Sequence, residues 1–77
     1  MDYVDSLMEF RAADQKRFAK ALRLLDTDER HPSLRVHALQ GDLAGVWSAS
    51  AADDLRIEFL RDGGGKKILL RCSRHYR

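Results

Sequence analysis

From Asp14, the stretch DQKRFAKALRLLD sets Phe18, Ala21, Leu22 and Leu25 at helical spacing, with lysines and arginines distributed over the opposite face. This pattern predicts an amphipathic helix, and Asp14 is suited to cap its start. Upstream, DYVDSLMEF places Tyr3, Val4, Leu7, Met8 and Phe10 on one side of a shorter helix, and the polar RAAD that follows breaks the stripe. A helical hairpin is therefore expected. Pro32 disfavours helical geometry at His31, so the helical part should be finished by about Arg30.

Beyond Pro32 the period changes to two. In LRVHAL the apolar Leu34, Val36 and Ala38 alternate with Arg35 and His37, and in DLRIEF the apolar Leu55, Ile57 and Phe59 alternate with Arg56 and Glu58. Gly41 and Gly45 bracket a turn before a strand VWSASA, Ala52-Asp53-Asp54 makes the next turn, and DGGG makes the last before KKILLRC. The expected architecture is α+β: an N-terminal helical hairpin packed on one face of a small, four-stranded antiparallel sheet.

Strand alternation then sorts the side chains. If Leu34, Val36, Leu55, Ile57, Ile68, Leu70 and Cys72 face the helices, Arg35, His37, Arg56, Glu58, Arg71, Ser73 and His75 face the other way. The uncovered face of the sheet becomes a polar, mostly cationic plate. Trp47 reads as a core plug.

The 77 residues suffice for a single domain spanning 1–77. A content of 44% hydrophobic and 34% charged residues fits a folded unit rather than a disordered one. The net charge of +2 hides an asymmetry: residues 1–60 carry 8 Lys/Arg against 11 Asp/Glu, whereas residues 61–77 carry 6 against 1. The basic end is where an anionic partner is expected. Cys72 is the single cysteine, so no intramolecular disulfide forms and a reducing, cytoplasmic setting is expected. No apolar run approaches the roughly 20 residues that span a bilayer, and MDYVDSLMEF carries acids where a secretory signal carries bases. No membrane partner is expected. Three histidines and one cysteine without ligand spacing predict neither a metal nor another cofactor.

The stretch HPSLRVHALQGDLAGVWSASAADDLRIEF, residues 31–59, resembles the signature region of the RelE/ParE toxin superfamily, on the RelE, YoeB and YafQ side. The shared features are HPSL, a histidine two residues before a leucine and glycine, a second glycine, WS and DLRI, in this order. A looser match covers ALRLLDTD before it and ILLRCSRHY after it. The resemblance implies a helical hairpin on a small antiparallel sheet; the family begins with a strand ahead of the hairpin, and this sequence departs from it by opening almost directly into the first helix. It further implies the toxin of a toxin-antitoxin pair, a metal-free endoribonuclease that cuts mRNA on the ribosome. An acidic antitoxin would be its partner, and a heterotetramer with it is one assembly the resemblance allows.

By position, His37 and Asp54 match a histidine and an aspartate of YafQ-like members, Arg56 matches the strand arginine of YoeB-like members, and His75 and Tyr76 resemble their terminal His-Tyr pair. Such cleavage uses the RNA 2′-hydroxyl as nucleophile and needs a base, positive charge for the developing phosphorane and an acid for the leaving 5′ oxygen. Histidine suits both proton roles near neutral pH, and arginine suits the phosphate. The expected assignments are His37 or Asp54 as base, Arg56 as phosphate clamp, His75 as acid and Tyr76 as an orienting or stacking group. Arg35, Lys66, Lys67, Arg71 and Arg74 are expected to bind RNA. Plainer roles exist for several of these. His37 can be an ordinary surface residue, Arg56 can pair with Glu58 or Asp54, Asp54 can cap a turn, and His31 can belong to the loop beside Pro32. The alternative functions are a ParE-like gyrase poison or a degenerate toxin kept for antitoxin binding.

Overall fold

The computed structural model describes residues 2–74. Helix α1 spans Tyr3–Met8 and is capped by Asp2, whose carboxylate accepts from the Asp5 amide at 2.8 Å. Its apolar stripe is narrower than the sequence suggests. Tyr3 is buried and Leu7 and Phe10 pack against the core, but Val4 and Met8 stand 61% and 66% exposed. Positions 3, 7 and 10 share one helical face, while 4 and 8 are turned about 100° away from 3 and 7.

Helix α2 spans Ala12–Thr27 and buries Phe18, Ala21 and Leu25. Asp14 does not cap it. Arg11 occupies the cap without a side-chain bond, while Asp14 sits buried in the first turn and accepts from Arg17 and Arg74. A carboxylate there still complements the helix dipole.

After α2, Pro32–Leu34 form a 3-10 turn, with the His31 ring nitrogen accepting from the Ser33 amide. Arg35 follows at φ 46, the one non-glycine residue with positive φ among the described residues. This left-handed step breaks the strand expected from Leu34, so β1 contains only His37–Ala38. Leu34 is nevertheless fully buried, reaching the core from the turn. Strands β2 (Trp47–Ala52), β3 (Leu55–Arg61) and β4 (Lys67–Arg74) complete an antiparallel meander in the order β1-β2-β3-β4.

Two helices on one face of this sheet make the expected α+β sandwich. Phe18 and Leu25 from α2 meet Leu55, Ile57 and Phe59 from β3, all within 1% exposure. Trp47 packs at the margin of this core under the Arg61 guanidinium, 4.4 Å from its ring centre. Among the described residues no strand precedes α1. Instead α1 lies along β4, where the Ser6 hydroxyl accepts from the Cys72 amide at 2.8 Å.

The inward set expected on β4 needs correction. Cys72 faces Ile57 and Arg71 faces Glu58, but the next pair is Leu69 with Phe59, because a bulge leaves Leu70 unpaired. One extra residue shifts the alternation, so Leu69 packs on the core and Ile68 is 49% exposed.

Candidate functional site

The open face of the sheet carries two rows of side chains set by strand register. One row runs His37, Ser48, Glu58, Arg71 across all four strands. The next runs Ser50, Arg56, Ser73. Over them lies a depression of about 460 Å³ lined by His37, Leu39, Leu43, Ser48, Arg56, Glu58, Ser73 and Arg74. His37 and Arg56, placed on one face by alternation alone, thus meet at one cavity.

Arg56 is anchored through a single nitrogen. Its Nη1 donates to Ala52 O at 2.8 Å, Leu55 O at 3.0 Å and Ser50 Oγ at 3.2 Å. The acceptors sit at the irregularity that interrupts the β2–β3 ladder between Ser50 and Ala52, where carbonyls need partners outside the ladder. Neither Glu58 nor Asp54 pairs with Arg56, and its Nε and Nη2 make no hydrogen bond among the described residues. A guanidinium held at one end, with the N–H groups of two nitrogens unspent among the described residues, suits an anion that arrives from solution.

His37 is exposed, and its Nδ1 lies 2.8 Å from the Arg35 carbonyl oxygen. A carbonyl only accepts, so Nδ1 carries the hydrogen and Nε2 of the neutral ring is left as the basic nitrogen. Glu58 is buried in the floor and bound on two sides by Arg71. Burial raises its pKa, but the bonds from Arg71 and Ser73 outweigh this and hold the carboxyl below its usual range. Sequence reasoning put Glu58 on this face with no role beyond pairing with Arg56, whereas it pairs with Arg71. Ser48 and Ser50, which share the parity of His37's row neighbours, went unremarked.

Of the other expected site residues, Arg74 lines the same depression and Arg71 ends the His37 row, and the remaining described ones lie elsewhere. Asp54 is bonded by Arg74, whose guanidinium also donates to Asp14 and lies over the Phe10 ring, 5.6 Å from its centre. Lys67 pairs with Glu29 at 2.9 Å on the helix side, beside the Arg61–Glu29 bridge. Bonds from Arg61 and Lys67 pull the Glu29 carboxyl down to about 2. Lys66 is exposed in the β3–β4 turn, and Arg35 lines a separate groove beside α2. His75 and Tyr76 lie outside the described residues. No group of three potential metal-ligating His, Cys, Asp or Glu residues occurs among the described residues, and no helix there is long and apolar enough to cross a membrane.

No family model matches the sequence, and no curated protein matches it. Solved structures do. A YoeB/ParE toxin from Agrobacterium tumefaciens superposes with a TM-score of 0.74 at 20% identity, over 99% of this chain and 93% of that one. A YoeB-YefM complex from Staphylococcus aureus gives 0.66 at 17% identity, over 91% and 80% of the two chains. The toxin-antitoxin complex RelBE2 from Mycobacterium tuberculosis gives 0.63 at 19% identity, over 97% and 90%. Two helices laid on a four-stranded antiparallel meander, matched over nearly the whole of the chain, give it the fold of the RelE/ParE toxin superfamily.

Proposed function

We propose that this chain is the toxin of a toxin-antitoxin pair and that it cleaves mRNA on the ribosome, in the cytoplasm, without a metal. The observation that carries the reading is the meeting of His37 and Arg56 at one depression on the open sheet face, within a fold shared with YoeB/ParE and RelBE proteins.

In this reading His37 Nε2 takes the proton of the RNA 2′-hydroxyl, and the unspent Nε and Nη2 of Arg56 meet the phosphate as charge builds on its oxygens. Arg71, half-exposed at the end of the row that begins at His37, faces the RNA path with its charge already paired to the Glu58 carboxylate. His75 supplies the proton to the leaving 5′ oxygen, and Tyr76 orients or stacks on a base. His37 takes the base role in preference to Asp54, because the Asp54 carboxylate is committed to Arg74. Lys66 extends the cationic track, and Lys67, which shares Glu29 with Arg61, adds the charge left over in that cluster, whereas the charge of Arg74 is taken up by Asp14 and Asp54. An acidic antitoxin neutralises the protein.

Inducing the chain alone in a bacterial host tests this. Growth arrest with transcripts cut inside reading frames supports the nuclease reading. Arrest with intact transcripts and altered DNA topology supports a gyrase-binding toxin, and normal growth supports a degenerate one.

A further inference from the structure

A carboxylate in the floor of a depression that takes RNA is unexpected, because it repels phosphate. Glu58 lines that depression and is buried. Burial pushes its pKa up, but bonds from Arg71 and Ser73 hold it below the usual range, so the group is charged at neutral pH. Stability gives little reason to keep such a group, since a buried ion pair is often replaced by packed apolar side chains without loss. What the carboxylate does is cancel the charge of Arg71, which it grips from the facing position on β3.

The other guanidinium beside Arg56 is neutralised as well. Arg74 lines the depression and is bonded by Asp54 from the β2–β3 turn and by Asp14 from α2. Of the three arginines at or beside the depression, only Arg56 has no carboxylate partner among the described residues. Arg56 faces Ser73, and Arg71 lies two residues back along β4, so the two arginines are diagonal neighbours. Diagonal positions stand roughly 7–8 Å apart, near enough for both side chains to take neighbouring phosphates of one strand were both unpaired.

From this pattern we infer that Glu58 sets the register of cleavage: by holding the charge of Arg71 it leaves Arg56 as the one unpaired guanidinium at the depression, so a single phosphate is chosen over its neighbour. Glu58 touches no reacting atom and acts through Arg71, which makes it a positioning residue. Selectivity here comes from a binding group withheld rather than from one added. The inference rests on the RNA-cleaving function proposed above and names a residue that determines where that cut falls.

The binding arm of the test uses a labelled single-stranded oligodeoxynucleotide of about ten nucleotides, which lacks the attacking 2′-hydroxyl and stays intact. Glu58→Gln keeps the side-chain shape and releases the charge of Arg71. It should bind the strand about 3- to 10-fold more tightly than the parent at about 50 mM salt, and the slope of log K against log salt should steepen by about 0.7, the share of one more phosphate on a single strand. Adding Arg71→Gln removes that charge again and should bring the slope back to the parent's. A packing defect has the opposite sign, weaker binding with a lowered thermal midpoint. The cleavage arm uses programmed ribosomes. There Glu58→Gln should lower KM and also lower kcat at the parental bond about tenfold or more, as a misplaced phosphate does, with new cuts at the adjacent phosphate. The double variant should restore the parental cut site. Affinity in Glu58→Gln no higher than the parent's, a slope that stays steep in the double variant, or parental kcat and cut site in a tighter-binding Glu58→Gln would overturn the inference. A parent that cuts no transcript would count against the proposed function, and the binding arm alone would then decide whether Glu58 masks Arg71 from phosphate.

Discussion

Arg71 grips Glu58 through two parallel bonds, Nε to Oε2 at 3.0 Å and Nη2 to Oε1 at 2.9 Å, between residues directly opposite each other on β4 and β3. The two ends of the pair differ. The Glu58 side chain is 10% exposed, whereas the Arg71 side chain is 48% exposed. The arginine therefore solvates a carboxylate that water barely reaches, and losing either partner has unequal consequences.

Arg71→Ala should leave the Glu58 carboxylate buried without its principal donor, at a cost of about 1–3 kcal/mol at pH 7. In the parent, Glu58 titrates below its usual range, so the pair stabilises above the unfolded pKa and the contribution fades as pH falls through the folded one. In the variant burial dominates and raises that pKa, so the sign reverses and the variant's deficit shrinks on acidification. Urea unfolding of both proteins at pH 7 and near pH 4.5 checks this. A deficit that is constant with pH would show that it does not come from Glu58's charge.

Arg56→Ala should lower mRNA cleavage by about 10²- to 10³-fold, the effect of removing one preorganised donor from a developing anion. Arg56→Lys should fall between the two, since an ammonium cannot keep the Ala52 and Leu55 carbonyls and still present a fork to phosphate. Purified variants on programmed ribosomes give the rates, and circular dichroism reports the fold. A variant that unfolds would make Arg56 a clasp for the β2–β3 turn rather than a phosphate ligand.

Much of this architecture is legible in the chain because its periods are strong. Phe18, Ala21 and Leu25 announce α2, and Leu55, Ile57 and Phe59 announce β3 and, by parity, the shared face of Arg56 and Glu58. Counting by twos fails where the backbone departs from the period. The bulge at Leu70 moves Ile68 outward, and the left-handed Arg35 shortens β1 to two residues. Neither leaves a mark in composition, since Leu70 and Arg35 are ordinary residues for a strand. Partner choice is less legible still. Arg74 joins Asp14 and Asp54 across 60 and 20 residues of sequence, and Lys67 joins Glu29, pairings that depend on where α2 begins and ends against β4.

The cluster of Glu29 with Arg61 and Lys67 should govern part of the acid stability. Hydrogen bonds from Arg61 and Lys67 lower the Glu29 pKa from an ordinary 4.5 to about 2. The unfolded chain therefore binds a proton between these values that the folded chain refuses, so stability declines as pH falls from about 4.5 toward about 2. Glu29→Gln should flatten that portion of the curve. At pH 7 the substitution should cost at most about 1 kcal/mol, because the side chains remain partly in water. Thermal midpoints from pH 2 to 7 for parent and variant provide the measurement, and parallel curves would exclude Glu29 as a source of the acid limb.

The three histidines offer the closest comparison of roles. His37 holds Arg35 O through Nδ1, which leaves Nε2 as its basic nitrogen, and lines the depression shared with Arg56, so His37→Ala should cut cleavage by about 10²- to 10⁴-fold, the range for a positioned acid or base. His75→Ala should fall in the same range if it donates to the leaving oxygen. His31 uses its Nδ1 on the Ser33 amide and caps the 3-10 turn, a structural task. His31→Ala should therefore cost about 0.5–2 kcal/mol in stability, as cap removal does, with cleavage by the folded fraction unchanged. Single-turnover cleavage on programmed ribosomes, read beside unfolding curves, separates the two kinds of loss. Cleavage at parental rate by His37→Ala would remove it as the base, and parental rate in His75→Ala would remove the tail from the chemistry. A large rate loss in stably folded His31→Ala would place the reacting phosphate near the 3-10 turn instead of over the open sheet face.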